Sequence, residues 1–244
     1  MIYNSPAIVF KSVDFKESSK IVTLFTRQHG KIAVIVHGAK KPRNKISGLL
    51  DLGNILDVVY YYKSTRSVQI LKEASYRERT PNIRSDFKKM AVSTATIELI
   101  NQLLHDGEVN DELFTFTHNF LVWLNEQKKA SQTIFPYVQI RLADIMGIGL
   151  QLIQPGTEND QNWYLNIESG SVARSSAASY SYKLTDNQSR YVMLALQARS
   201  SALLQMPFEQ NELKNLIRYL DDYFKYHLEG IKDRKSDAIF EQIL

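Results

Sequence analysis

At 244 residues the chain is long enough for one or two domains. A composition of 44% hydrophobic and 23% charged residues excludes disordered and fibrous classes. The absence of any cysteine excludes disulfides, thiolate zinc sites and cysteine nucleophiles outright. No cationic stretch followed by an apolar run begins at Met1, and no segment approaches the roughly 20 apolar residues a membrane span needs, so a cytoplasmic protein is expected. The net charge of +4 is unevenly spread. Residues 1 to 80 hold 14 Lys and Arg against 6 Asp and Glu, a net +8, and the remainder holds 16 against 20, a net −4. Such polarity points to a polyanionic partner for the first segment.

From Ser5 to about Arg79 short apolar alternations are broken by turn residues, the pattern of strands. In Lys20 to Thr26, Val22 and Leu24 share one face and Ile21, Thr23 and Phe25 the other, and both faces are rich in apolar groups. The run Ile32 to Val36 behaves likewise, and Gln28-His-Gly30 before it supplies the glycine of a hairpin. Further strands are predicted at Pro6 to Val13, Asn54 to Tyr62 and Ser67 to Tyr76. Five strands, with a short apolar segment Ile46 to Leu52 between the third and fourth, suit a small OB-type barrel. An SH3-like barrel fits the same strands.

After Pro81 the period becomes helical. Helices are predicted from Phe87 to about Leu104, after Asn110 or Asp111 through Leu124, from Ile134 to Met146, from Tyr191 to Arg199 behind the capping box Thr185-Asp-Asn-Gln188, and from Glu209 to Leu228. Between them, residues 147 to 182 carry several glycines and six serines from Ser169 to Ser181, and read as an irregular insert with one hairpin at Trp163 to Val172. The expected fold is α+β, with a five-stranded OB-fold nucleic-acid-binding domain at 1–80 and a helical domain at 81–244 interrupted by a cysteine-free insert at about 147–182.

The sharpest motif is His37-Gly-Ala-Lys40-Lys41-Pro-Arg43-Asn-Lys45, four cations around a proline directly after a strand. A cationic loop beside a rigid barrel can follow a phosphate backbone, although charge runs are often only solvated loops. Lys11, Lys16, Lys20, Arg27, Lys31, Lys63 and Arg66 are candidates to extend the patch. Tyr60-Tyr61-Tyr62 ends a strand; Tyr60 and Tyr62 point one way and Tyr61 the other, and Tyr60 is the candidate for base stacking against the alternative of core packing. In the helical domain, Arg141, Arg190 and Arg199 are candidates to rim a partner-binding groove. The histidines lack metal-ligand spacing, there is no phosphate-cradling Gly-rich loop, and no catalytic set is found. Neither cofactor nor metal is expected.

Glu17-Ser-Ser-Lys-Ile-Val-Thr-Leu-Phe-Thr26, His29-Gly-Lys-Ile-Ala-Val-Ile-Val36 and Gly38-Ala-Lys-Lys-Pro-Arg43 resemble the bacterial recombination mediator family RecO. The resemblance implies a nucleoid-associated, non-enzymatic DNA repair protein. Its OB-fold barrel would bind single- and double-stranded DNA and anneal complementary strands. With RecR it would help load the RecA recombinase onto DNA coated by single-strand-binding protein, whose acidic, apolar-ended tail would suit the helical domain. In many family members the insert carries four zinc-binding cysteines; here Trp163 to Gly170 resembles the ribbon between the cysteine pairs, without the pairs, so zinc is expected to be absent. The competing reading is an interaction adaptor whose basic barrel binds acidic protein tails and no nucleic acid. A hydrolase or nuclease lacks any supporting residue set.

Overall fold

The computed structural model describes residues 1–41, 44, 46–153, 161–176, 179–197, 203–204 and 206–237. Arg43, Lys45 and Arg199 lie outside them. The chain forms two compact units, Met1–Lys128 and Lys129–Leu244.

The first unit opens with β1 (Ile2–Phe15), β2 (Ser19–Thr26), β3 (Gly30–Val36), β4 (Ile55–Tyr61) and β5 (Val68–Glu78), with a 3₁₀ turn at Ser47–Leu49 between β3 and β4. They close into a barrel in the order β1-β2-β3-β5-β4, and β3 runs parallel to β5. This order and the turn before β4 are those of the OB fold and decide against the SH3-like alternative. Alternation works as the sequence predicts: Val22, Leu24, Val34, Val36, Leu56, Val58 and Tyr60 fill the interior. β1 serves two neighbours, pairing with β4 through Ile2–Ile8 and with β2 through Ala7–Phe15. An irregularity between Val9 and Lys11 bends it between the two roles.

Three helices complete this unit: α1 (Pro81–Ser85), α2 (Phe87–Leu103) and α3 (Asp111–Glu126). The Asp86 and Asn110 side chains accept from the Lys89 and Leu113 amides and so cap α2 and α3. The helices cover part of the barrel's outer wall. Ile8, Phe25 and Ile55 are fully buried there, and the Phe25 and Phe114 rings meet edge to face at 5.3 Å. The β2–β3 turn joins wall and helices. Gly30 has φ of +62°, a Cβ at this position would lie 1.7 Å from the Glu108 carbonyl oxygen, and the Gly107 amide donates to the Lys31 carbonyl at 2.8 Å.

The second unit contains α4 (Ile134–Ile145), β6 (Gln151–Leu152), β7 (Trp163–Asn166), β8 (Ser171–Ala173), β9 (Ser181–Leu184), α5 (Asp186–Gln197) and α6 (Gln210–His227). The predicted capping box is present, since Thr185 Oγ1 accepts the Gln188 amide at 3.3 Å and Gln188 Oε1 accepts the Thr185 amide at 3.0 Å. The insert is more ordered than the sequence suggests. The expected hairpin forms as β7 and β8, but β6 and β9 extend it to a sheet in the order β6-β8-β7-β9. Serines conceal these short strands because their β propensity is weak, and side-chain bonds compensate. Asn166 Nδ2 donates to Ser171 Oγ and the Ser175 carbonyl, both at 3.1 Å, and Asn166 Oδ1 accepts from Ser181 Oγ at 2.6 Å. The C-terminal segment is held by Arg234, whose nearly buried guanidinium pairs with Asp221 of α6 and lies 4.7 Å from the Phe135 ring centroid.

Gly30→Ala combines a left-handed backbone conformation with a clash against the Glu108 carbonyl, so it should destabilise the protein by at least about 2 kcal/mol in urea unfolding. A loss below about 0.5 kcal/mol would show that the turn and the α2–α3 junction are not packed as described.

Candidate nucleic-acid interface

The turn joining β1 to β2 and the loop leaving β3 lie at one end of β2, and two contacts of Lys40 bring them together. The Lys40 amide donates to the Ser18 carbonyl at 3.0 Å, the Lys40 ammonium lies 3.1 Å from the Asp14 carboxylate, and the Lys20 ammonium lies 3.8 Å from the same group. The lysines hold the Asp14 carboxyl below its ordinary pKa, Lys40 contributing most. Beneath the loop Ala39 is fully buried, and Gly38, with φ of +68°, accepts at its carbonyl from Asn44 Nδ2 and the Lys41 amide. The loop is anchored while the side chains of Lys40 and Lys41 stay exposed. Lys16 is exposed on the adjoining turn, its ammonium 5.4 Å from the Phe15 ring centroid. Lys20 and Lys40 thus converge on the Asp14 carboxylate, while Lys16 and Lys41 are exposed on the turn and the loop that flank it, the turn also carrying the exposed Glu17.

Lys63 and Arg66 are exposed on the β4–β5 loop. The buried Gln69 side chain ties this loop down, accepting from the Lys63 amide and donating to the Lys63 and Arg66 carbonyls at 2.9, 3.1 and 2.7 Å. Arg66, Phe15 and His37 line a groove of about 400 Å³ whose remaining lining is Ile21, Ile35, Val68 and Ile70. Sequence reasoning singled out Arg66 but missed the other lining residues. Their signal was the second apolar face of the strands, which alternation displayed and no helix pattern accounted for.

Three predicted residues serve other purposes. Tyr60 is fully buried among the barrel's core residues, with its hydroxyl 2.6 Å from His29 Nδ1, so it presents no ring face to a base. Alternation sends it inward because its strand neighbours Val58 and Leu56 line the core. Lys31 donates to the Asn101 carbonyl at 2.9 Å and to the Leu104 carbonyl, satisfying the C-terminal carbonyls of α2 with its side chain only 14% exposed. Arg27 forms a two-pronged ion pair with Asp111 at the start of α3, its Nη2 2.9 Å from Oδ2. The pairing raises the Arg27 pKa and lowers that of Asp111. In the second unit Arg141 pairs with Asp144 one turn on, and Arg190 is exposed on α5.

The described residues of the insert present no set of zinc ligands. Amide and hydroxyl groups occupy the hairpin, and among the described residues no three His, Cys, Asp or Glu side chains come together to hold a metal. Among the described residues no helix is long and apolar enough to cross a membrane.

At the other end of β2, His29 is stacked on Tyr62 with centroids 4.0 Å apart and accepts from or donates to Tyr60. Burial lowers its pKa. The folded state therefore resists protonation that the unfolded chain accepts near pH 6.5, so stability is full above that pH and declines as pH falls toward the folded pKa. His29→Phe retains the stacked ring and should flatten the urea midpoint against pH between about 7 and 5 relative to wild type. Parallel curves would exclude His29 as the source.

Sequence-family comparison agrees with this architecture. The family described as "Recombination protein O N terminal" matches residues 1–79, and "Recombination protein O C terminal" matches residues 84–237. The chain is 28% identical over 258 residues to the DNA repair protein RecO of Chloroherpeton thalassium, covering all of both chains. It is 27% identical over 261 residues to that of Pelodictyon phaeoclathratiforme, covering all of this chain and 99% of the relative. It is 31% identical over 153 residues to that of Chlorobium luteolum, covering 62% of this chain and 58% of the relative. The closed five-stranded barrel, the helical region behind it and family matches across nearly the whole chain establish that this protein belongs to the RecO family of DNA repair proteins.

Proposed function

We propose that the protein is a non-enzymatic recombination mediator that binds and anneals DNA and, with RecR, helps load RecA onto DNA coated by single-strand-binding protein. The observation that carries the DNA-binding part is the meeting of Lys20 and Lys40 at the Asp14 carboxylate, with Lys16 and Lys41 exposed on the turn and loop that the Lys40–Ser18 bond joins. Four lysines on two joined connections, against the carboxylates of Asp14 and Glu17, leave excess positive charge at a fixed place, the condition for following a phosphate backbone without reading sequence. Arg66 and Lys63 on the β4–β5 loop provide further phosphate contacts, as do Arg43 and Lys45 by their position in the chain. RecO-family membership supports the DNA repair role, and the partners are those the family resemblance implies. Arg141, Arg190 and Arg199 are candidate contacts for an acidic partner tail.

Four phosphates neutralised on a single strand give a slope of log affinity against log salt of about −3, at roughly −0.7 per contact. Changing Lys16, Lys20, Lys40 and Lys41 together to Ala should weaken binding to fluorescent oligothymidylate at least about tenfold at low salt and reduce the magnitude of the slope by about 3, leaving the share of the remaining cations. Lys31→Met should leave the slope unchanged, since that ammonium serves α2. Unaltered affinity and slope in the quadruple variant would refute the assigned cluster. Strand annealing with and without single-strand-binding protein tests the mediator role, and oligonucleotides that remain intact in magnesium or manganese are expected of a protein without nuclease activity.

A further inference from the structure

The barrel's outer wall carries an apolar line that neither the cationic cluster nor the helices use. Following strand pairing, Val13 lies beside Ile21, Ile21 beside Ile35, Ile35 beside Ile70, Ile70 beside Tyr61, and Tyr61 beside Ile2. Every step joins neighbouring strands, so the six side chains form an unbroken belt across all five. Because it leaves β1 at Val13 and returns to β1 at Ile2, the belt winds around the closed barrel, and at the usual strand separation of about 4.8 Å its length along the wall is roughly 24 Å. Its ends are open to solvent, with Val13 40%, Tyr61 40% and Ile2 55% exposed, while the three isoleucines between them are half-buried and floor the groove. Pairing register fixes this arrangement: a slip of one residue would turn the same side chains into the barrel.

Where α2 and α3 cover the wall, equivalent outward residues such as Ile8, Phe25 and Ile55 are fully buried. The belt is the same kind of surface without a cover, and contiguous exposed apolar surface of this kind marks an interaction site. Its chemistry selects the cover. Five of the six residues are aliphatic and offer buried area rather than flat rings, which suits protein side chains better than nucleobases. The closed barrel has no free strand edge, so the contact is made by side chains and not by added strand pairing. Lys11 stands next to Val13 on the same face and Arg66 lines the groove, so a second copy of this surface meets like charge. We propose that the groove side of this belt, Ile21, Ile35, Ile70 and Tyr61, is the docking surface for an acidic segment of a partner protein that inserts aliphatic side chains along the wall, beside the lysine cluster at the barrel's end.

The test uses the full chain and two fluorescent peptides of about 20 residues, each rich in Asp and Glu. One carries four leucines at helical spacing; in the other, serines replace them. Wild-type protein should bind the leucine peptide at least about tenfold more tightly, and the Ile35→Ser/Tyr61→Ser variant should abolish that preference. The variant's melting temperature and its affinity for oligothymidylate should stay close to wild type. Equal binding of the two peptides, or a preference that survives the double substitution in a folded variant, overturns the proposal. So does a tenfold loss of oligothymidylate binding, which would make the belt part of the DNA site, or a dimer in sedimentation that the substitutions dissolve, which would assign the belt to a second copy.

Discussion

Closure of the barrel is the constraint from which the rest of the first unit follows. With β3 joined to β5 and β4 to β1, the wall has no edge, and each strand must commit one set of alternating side chains to the interior. Because Ile21, Phe25 and Ile35 make the other face apolar as well, an inside packed by Val22, Leu24 and Val34 leaves a hydrophobic outside still to be covered. α2 and α3 cover part of it. The β2–β3 turn secures them there, through the close approach of Gly30 to Glu108 and the bonds of Lys31 to the end of α2. The family matches divide at about residue 80, yet the compact unit runs to Lys128 because these helices complete the barrel's outer surface.

The same geometry sorts the positive charge. The net +8 of the first eighty residues counts Lys31 and Arg27 together with Lys40 and Lys41, although the first two neutralise partners within the fold. An ammonium that satisfies helix carbonyls is nearly sheltered, and withdrawing it would leave those acceptors without a donor, a cost of about 1–3 kcal/mol for each buried group. Ligand binding cannot recruit such a cation cheaply. Lys40 and Lys20 share one exposed carboxylate, a weak and salt-screened attachment that a phosphate can displace. Proximity in sequence does not separate these classes, since Lys31 lies near the start of the strand that Lys40 follows; the partner each side chain meets does.

Much of this was legible beforehand. The five strands, the helices after Pro81 and the Thr185–Gln188 cap follow from local periodicity and capping chemistry, which need no tertiary information. Tyr60 was not, because alternation states that Tyr60 and Tyr61 point in opposite directions without stating which is inward; that depends on the register with Tyr3 and Leu71 across the barrel. Lys31 was hidden for a similar reason, as its acceptors at Asn101 and Leu104 lie some seventy residues on. The groove was half visible. Its isoleucines stood out as a second apolar face, but joining them to Phe15, His37 and Arg66 required the parallel pairing of β3 with β5, which no local pattern encodes.

The small sheet of the second unit has two sources of stability among its own residues, side-chain hydrogen bonds and apolar packing. A structural zinc site contributes on the order of 10 kcal/mol to folding, whereas the hydrogen bonds around Asn166 contribute about 1 kcal/mol each, so the amide network alone is no equal substitute. Packing supplies more. Leu165, Ile167 and Val172 are fully buried, and at about 1.5–3 kcal/mol for each such side chain their burial outweighs the network. Gly170 permits that packing, since a Cβ there would lie 2.5 Å from the Tyr223 hydroxyl, which itself donates to the Ile148 carbonyl. Asn166 then has a narrower task. It satisfies the polar groups that the serine-rich turns bring into a buried place and holds β9 to the hairpin, while the core beneath carries most of the stabilisation.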